Sequence, residues 1–156
     1  MLKNFTAPVL LKSTFIICIL LASLSVTCQN QIKKGNLKVV LTDIKTKTGQ
    51  VGFFLFHSEE GFPVKTEKAL LSGYVKNTGK TVEYTFPNIA VGSYAVYVFH
   101  DEDGNNKLKT NFIGMPKEGM GVSNNAKGHF GPPSFDDAKF NFNKTEQTIT
   151  VSLIYL

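Results

Sequence analysis

The chain has 156 residues, and its 17 basic and 12 acidic residues give a formal net charge of +5. All of the basic residues are lysines scattered along the chain, and none is arginine. Nucleic-acid binders normally use arginine forks and a clustered basic surface, so the composition argues against a nucleic-acid partner. We therefore interpret the lysines as a solvated surface.

The N-terminal segment has the order of a secretory signal peptide. Lys3 and Lys12 come before an uncharged apolar run from Ser13 to Val26, and small and polar residues follow. The alternative is a transmembrane anchor, but a run of about 14 residues is short for a helical span, which needs roughly 20. We predict export and a mature form without a transmembrane span.

The end of the signal peptide can be interpreted in two ways. Cleavage after Cys28 would release a chain that starts at Gln29, whereas lipidation of Cys28 would tether the protein to a membrane. Ser25 and Thr27 are poor matches to a lipoprotein signal, so we favour residues 1–28 as the signal peptide and 29–156 as one soluble domain. The only cysteines are Cys18 and Cys28, so the mature domain can have no disulfide and no cysteine zinc site.

Period-two patterns dominate the predicted domain. Residues 36–42 alternate apolar and polar side chains, as a half-buried strand does. Residues 50–57 are apolar on both faces, which indicates a central strand. We interpret residues 43–49, between these two strands, as a hairpin loop.

Four further strands follow. They are predicted at residues 82–86, where Pro87 ends the pattern, at 94–99, at 138–142 and at 149–155. Short strands separated by Gly, Pro and Asn turns predict an all-β fold, an antiparallel β-sandwich of about seven strands. A closed barrel is the alternative.

Residues 107–135 form the one long segment with few strand signals. Loops of this length inside a compact domain are usually functional or disordered. We expect this one to be ordered and to pack on the sandwich, because large apolar side chains are spread along it, among them Phe112, Ile113, Met115, Met120, Phe130 and Phe135.

The stretch HDEDGNNKLKTN, residues 100–111, resembles the first half of a calcium loop. Calcium takes six to eight oxygens, and alternate Asp or Asn side chains followed by a backbone carbonyl can supply them. From Asp101 as position one, Asp103 is at three, Asn105 at five and the carbonyl of Lys107 at seven. These four residues are the predicted metal ligands.

The second half of the stretch lacks the remaining ligands. Lys109 and Phe112 stand where a calcium loop offers a polar group and a bidentate Glu, and Asn106 replaces the usual Gly. Another carboxylate would have to complete the site, and Glu118, Asp136 and Asp137 are available. The competing interpretation, which we favour, is a plain polar turn without an ion.

Two catalytic arrangements can also be written from the sequence. His57, His100 and His129 could form a three-nitrogen zinc site, although they have no ligand spacing. Ser123, His129 and Asp136 have the residue types of a hydrolase triad, with no nucleophile-elbow motif around Ser123.

The sequence also resembles a family of exported bacterial proteins known as domain of unknown function 2141. The resemblance covers nearly all of the mature chain. It is carried by residues 92–101, Asn105, Lys107, Leu108, Thr110, Asn111, residues 114–116, Glu118, residues 121–126 and 133–135, Ala138 and Phe140. It implies a small secreted or periplasmic sandwich of the transthyretin-like or carboxypeptidase-regulatory-like kind, with no transferable catalytic residues.

The chain departs from the family pattern within the acidic turn. Family members tend to have Asp where this chain has Lys109 and Gly where it has Asn106. If the family binds calcium there, this member should bind it more weakly or not at all.

We therefore expect a monomeric, non-enzymatic binding or structural module of the bacterial cell envelope. Its partner would lie in the envelope or outside the cell, and it would need no cofactor unless weak calcium binding occurs. His100, Asn111, Ser123 and Asn124 are the predicted binding residues. The alternative is a hydrolase with a pocket under the 107–135 loop that uses His100, Asp101, Ser123 and His129.

Overall fold

A computed structural model describes residues 33–128 and 131–156, and in these residues the chain is almost entirely β. The predicted signal peptide, Cys28, His129 and Phe130 lie outside the described residues. The strands are β1 (Lys34–Thr42), β2 (Gln50–Phe56), β3 (Leu71–Lys76), β4 (Val82–Ala90), β5 (Gly92–Asp101), β6 (Met120–Val122), β7 (Phe140–Phe142) and β8 (Glu146–Ser152), with one short helix, α1 (Phe135–Ala138).

The strands form two sheets. One has the order β4-β1-β8, and the other has the order β3-β2-β5-β6, with β7 also pairing with β5. This confirms the all-β prediction with a sandwich-like pair of sheets, and it differs from a single closed barrel. The sheets are not purely antiparallel, because β8 runs parallel to β1, with Leu37 opposite Gln147. Which named sandwich fold the domain represents stays a prediction.

The predicted hairpin at residues 43–49 is wrong. β1 and β2 belong to different sheets, so this segment carries the chain from one sheet to the other. Both of its ends turn through left-handed backbone, with φ of 64° at Asp43 and 66° at Gly49. Each of the two strands already has hydrogen-bonded neighbours on both sides, so neither has a free edge for the other.

The main core lies between the sheets. Leu37, Val39 and Leu41 of β1 are fully buried, and the alternation that predicted this strand is confirmed. β2 and β5 are buried on both faces, as their continuous apolar character predicts. The outer faces of β2 and β5 form a second apolar layer with Phe54, Phe56, Ala95, Tyr97 and Phe99, and Val122 of β6 and Ala138 of α1 complete it.

Sequence patterns missed two strands and shortened a third. β3 is half-exposed and contains a glycine, and β6 has only three residues, so neither has a clear period. β4 continues through Pro87 to Ala90. It can do so because β4 pairs with β1 alone in its sheet, and an edge strand tolerates a residue without an N–H.

The described part of the long segment, residues 107–128 and 131–135, is ordered but is not one loop. It contains β6, a 3-10 turn at Ser123–Asn125 and the first residue of α1. Met120 and Phe135 pack against the outer apolar layer, as expected. The same expectation is wrong for Phe112, Ile113 and Met115, which are 98%, 65% and 45% exposed.

Candidate functional site: the acidic turn after β5

The acidic turn begins at Asp101, the last residue of β5, whose side chain is fully buried. Its two carboxylate oxygens accept hydrogen bonds from the backbone N–H groups of Asn105, at 3.0 Å, and Asn106, at 2.8 Å. The chain can fold back in this way because Gly104 and Asn106 have φ of 72° and 62°. Asn106 therefore takes the left-handed conformation that glycine has at this place in a calcium loop.

A cross-strand partner completes the surroundings of Asp101. Gln50 of β2 lies directly opposite, and its amide donates to the Asp101 carboxylate and to the side chain of Asn106, both at 2.8 Å. Burial by itself raises the pKa of Asp101. The hydrogen bonds from Gln50 and from the backbone of Asn106, Asn105 and Gly104 outweigh burial, so this pKa lies below its usual range.

Glu118 anchors the other side of the turn. Its buried carboxylate accepts hydrogen bonds from the backbone N–H of Glu102, at 2.9 Å, and from that of Lys109, at 2.7 Å. Asp101 and Glu118 together bind four backbone N–H groups of residues 102–109. The turn is therefore built around two buried negative charges.

Asp103 completes a group of three carboxylates. One oxygen each from Asp101, Asp103 and Glu118 lie within 4.8 Å of one another, a spacing that a divalent cation could bridge. The ammonium of Lys109 lies 3.5 Å from the Asp103 carboxylate. A cationic side chain thus stands at the position where the family pattern has a ninth-position oxygen.

A surface depression of about 520 Å³ opens over this cluster. It is lined by Thr48, Glu102, Asp103, Lys109, Lys117 and Glu118. The side chains that line it carry both signs of charge.

The predicted ligands are only partly brought together. Asp101 and Asp103 join the cluster, and Glu118 is the one of the three proposed extra carboxylates that joins them. Asp136 and Asp137 lie on α1, where they hydrogen-bond with Lys139 and Ser134. The Asn105 side chain accepts from the backbone N–H of Lys107 at 2.7 Å and so closes the turn.

His100 is fully buried in a network that joins several segments. Its Nε2 lies 2.8 Å from the carbonyl oxygen of Thr48, and its Nδ1 lies 3.0 Å from the hydroxyl of Tyr155. That hydroxyl accepts from the backbone N–H of Lys45 at 3.1 Å, so it is free to donate to Nδ1. The two ring nitrogens therefore join the sheet connection after β1 to the C-terminal segment.

Asn111 organises the turn that follows the acidic cluster. Its side-chain oxygen accepts from the backbone N–H groups of Ile113, at 3.0 Å, and Met115, at 2.9 Å. Its own N–H donates to the carbonyl of Met115 at 2.8 Å. Asn111 therefore shapes the chain, and its amide oxygen is already engaged.

Ser123 and Asn124 attach α1 to β5. The Ser123 hydroxyl is buried, accepts from the backbone N–H of Val96 at 2.9 Å and donates to the carbonyl of Ala138 at 2.6 Å. The Asn124 amide donates to the carbonyls of Asp137 and Lys139. Both side chains hold backbone groups together.

Both catalytic arrangements written from the sequence include His129, which lies outside the described residues, whereas His57, His100 and Ser123 lie far apart. Ser123 contacts Val96, four residues along β5 from His100, a separation of roughly 13 Å. His57 follows β2 at its far end, whereas His100 pairs with Val51 near the start of β2, so the two histidines are roughly 20 Å apart.

Several residues of the site carry no recognisable sequence pattern. Thr48, Gln50, Asn77 and Tyr155 contact His100 or Asp101, yet they are distant in sequence and of common types. Only Gln50 could have been identified from the sequence as a candidate, since it is a polar residue at the start of a strand that is otherwise buried on both faces.

The described residues include no helix with the length and apolar character needed to cross a bilayer. The model of the family of uncharacterized proteins conserved in bacteria, domain of unknown function 2141, matches residues 39–150. The chain belongs to this family, and the sequence-based recognition is confirmed.

Other comparisons add little. No curated protein matches the sequence. Among solved structures, the chain is similar to a fimbrial assembly protein from Parabacteroides distasonis ATCC 8503, at 12% identity and a TM-score of 0.43. The match covers 80% of this chain and 54% of that one, so the chain spans about half the length of that protein.

Proposed function

We propose that this protein is an exported, non-enzymatic binding or structural module of the bacterial cell envelope. One observation carries the proposal: the polar side chains of the candidate site serve the fold's own backbone. Asp101, Glu118 and Asn111 each accept backbone N–H groups, which gives the loops after β5 a fixed shape, and Ser123 accepts the N–H of Val96 farther along β5. Fixed loops on a β-scaffold are typical of recognition surfaces.

The identity of the first residue of the mature protein tests whether the chain is exported. The full chain, produced in a bacterial host with its own leader, should be recovered outside the cytoplasm with Gln29 as its first residue. Intact mass measurement checks this. An intact Met1 would contradict export, and an acylated Cys28 would replace the soluble form with the lipid-anchored one.

The hydrolase alternative has a direct chemical test. A fluorophosphonate probe labels an activated serine, and we expect none at Ser123 because its hydroxyl already donates to the carbonyl of Ala138. Ser123→Ala serves as the control. Labelling of the unmodified protein that disappears in this variant would establish a nucleophile and contradict the proposal.

Calcium binding at the acidic turn is proposed to be weak. Asp101, Asp103 and Glu118 offer oxygens, but the Lys109 ammonium beside Asp103 repels a cation and occupies its surroundings. We expect little heat in calorimetric titration of the unmodified protein with calcium. Lys109→Asp should strengthen binding about tenfold or more, because it removes a positive charge and adds an oxygen ligand.

Lys144→Asp is the matched control for that titration. It makes the same change in net charge between β7 and β8, away from the acidic turn. Equal strengthening by both variants would indicate general electrostatic attraction, and no binding by Lys109→Asp would remove calcium from the proposal.

A further inference from the structure

Phe112, the most exposed large apolar side chain of the described residues, lies on one turn with two other exposed apolar side chains. Phe112 is 98% exposed, Ile113 65% and Met115 45%. We call these three side chains and the turn that holds them, residues 111–115, the apolar tip. Such a group is unusual on a soluble surface and points to a contact made with another body.

The apolar tip has a fixed shape. Residues 109–117 form a small hairpin, in which the backbone N–H of Lys117 donates to the carbonyl of Lys109 at 2.8 Å and Thr110 bridges to Pro116. Asn111 closes the end by accepting the N–H groups of Ile113 and Met115. Binding would therefore require little ordering of the backbone.

Lysines flank the apolar tip along the chain, and Lys109 and Lys117 share the nearby depression with Glu102 and Asp103. Residues 104–117 contain Lys107, Lys109 and Lys117 and no carboxylate. Lys109 pairs with Asp103, but neither Lys107 nor Lys117 makes an ion pair with another described residue. The acidic side chain that follows, Glu118, is buried and directed at backbone N–H groups.

We infer that the apolar tip inserts into the interface of an anionic lipid membrane, with Lys107 and Lys117 against the phosphates. A projecting apolar group flanked by lysines matches the acyl boundary and headgroup layer of a bilayer. A second copy of the chain fits less well, because three side chains offer far less than the roughly 1,200 Å² of a stable protein interface. The inference deepens the proposed binding function, on which it rests, by naming a partner.

The test uses tryptophan as a local reporter, since the chain has none of its own. Phe112→Trp places the fluorophore on a side chain that contacts almost nothing, so the fold should tolerate it. With vesicles of phosphatidylcholine and phosphatidylglycerol, the emission should shift to the blue and be quenched by brominated acyl chains. Val64→Trp, at another strongly exposed apolar position of 73%, is the control and should do neither.

Two further sets of substitutions in the Phe112→Trp protein distinguish the contribution of apolar burial to membrane binding from that of the lysines. Ile113→Ser should weaken partitioning about tenfold or more through lost apolar burial. Lys107→Gln with Lys117→Gln should weaken it by a similar factor on anionic vesicles, whereas Lys65→Gln with Lys144→Gln should change it little.

Three results would overturn the inference. They are no shift or quenching on anionic vesicles, an equal response from Val64→Trp, and a shift that appears with protein concentration alone. Equal partitioning into vesicles of pure phosphatidylcholine would refute the requirement for an anionic lipid. A vesicle-bound Phe112→Trp protein whose introduced tryptophan is not quenched would show attachment elsewhere, for instance through the N-terminus. These readouts use vesicles only, so they can fail while the tests of export and calcium succeed.

Discussion

At the scale of single residues, Asp101 shows how a buried charge can build a turn. Its carboxylate has no solvent exposure, and it is satisfied by Gln50 and by backbone N–H groups of the following residues. A buried carboxylate is tolerated only with such a full set of donors. The same donors leave the oxygens less available to a metal ion.

Asp101→Asn should destabilise the protein by about 2 to 3 kcal/mol at neutral pH. The amide keeps the shape but turns an NH₂ group toward donors, which leaves at least one buried N–H without an acceptor. Urea unfolding measures the change. Asp136→Asn is the control, since this exposed residue pairs only with Lys139 and its replacement should cost little.

The stability difference between the unmodified protein and Asp101→Asn should depend on pH. The pKa of Asp101 is lower in the folded protein than in the unfolded chain. Its contribution is therefore complete above the unfolded-state value, about 4, and is lost as the pH falls through the folded-state pKa. Unfolding curves from pH 7 down to pH 3 should show the difference narrowing, and a difference that grows in acid would contradict this assignment.

At the scale of elements, a serine side chain hydrogen-bonds to β5 where neither β6 nor β7 pairs with it. On the side away from β2, β7 pairs with residues 92–94 and β6 with residues 97–99. The N–H of Val96 lies between the two, and the Ser123 hydroxyl accepts its hydrogen bond. A side chain thus bridges the gap in the ladder and ties α1 to it through Ala138.

Ser123→Ala should cost about 1 to 3 kcal/mol, because it leaves the buried N–H of Val96 and the carbonyl of Ala138 without their partner. Amide hydrogen exchange should accelerate at Val96 more than at its neighbours. Ser93→Ala, which removes an exposed hydroxyl bonded to Asn141, should leave this exchange unchanged. Unchanged protection of Val96 in Ser123→Ala would refute the bridging role.

The connection between the sheets requires glycine at position 49. Gly49 has φ of 66°, and a Cβ there would overlap the carbonyl oxygen of Asp101 and lie 2.7 Å from the Cα of Glu102. Gly49→Ala should therefore destabilise by about 2 to 4 kcal/mol. The melting temperature of Gly49→Ala is compared with that of Gly79→Ala, whose Cβ meets nothing within 4 Å. Equal melting temperatures for the two variants would contradict the close approach.

At the scale of the whole molecule, Tyr155 links the two sheets near the chain end. Its hydroxyl accepts from Lys45 in the connection that leaves β1 and meets His100 at the end of β5. The Lys45 ammonium lies 4.4 Å from the centre of its ring. The acidic turn, the sheet connection and the C-terminal segment are thereby held at one end of the sandwich.

Tyr155→Phe should destabilise by about 1 to 3 kcal/mol, because the buried Nδ1 of His100 loses its partner. Calorimetric melting measures the effect. Tyr74→Phe is the control, since the Tyr74 hydroxyl makes one long bond of 3.3 Å to an exposed carbonyl and should matter less. A smaller loss for Tyr155→Phe than for Tyr74→Phe would contradict the linking role.

The sequence by itself determined the β class, the central strands and the acidic turn. Alternation in β1 and continuous apolar character in β2 and β5 report burial on one face or two, which is a local property of each strand. Asn106 could be expected to take the left-handed conformation because side-chain chemistry within the turn decides it.

Only the tertiary structure decided which strands pair and which side chains meet. The connection after β1 looked like a hairpin because sequence does not show that each strand already has two neighbours. Glu118 was one of three possible partners for Asp101 and Asp103, and Gln50 and Tyr155 were not foreseen. The physical reason is that pairing and burial sum contacts between distant segments, whereas sequence periodicity records only the environment along one segment.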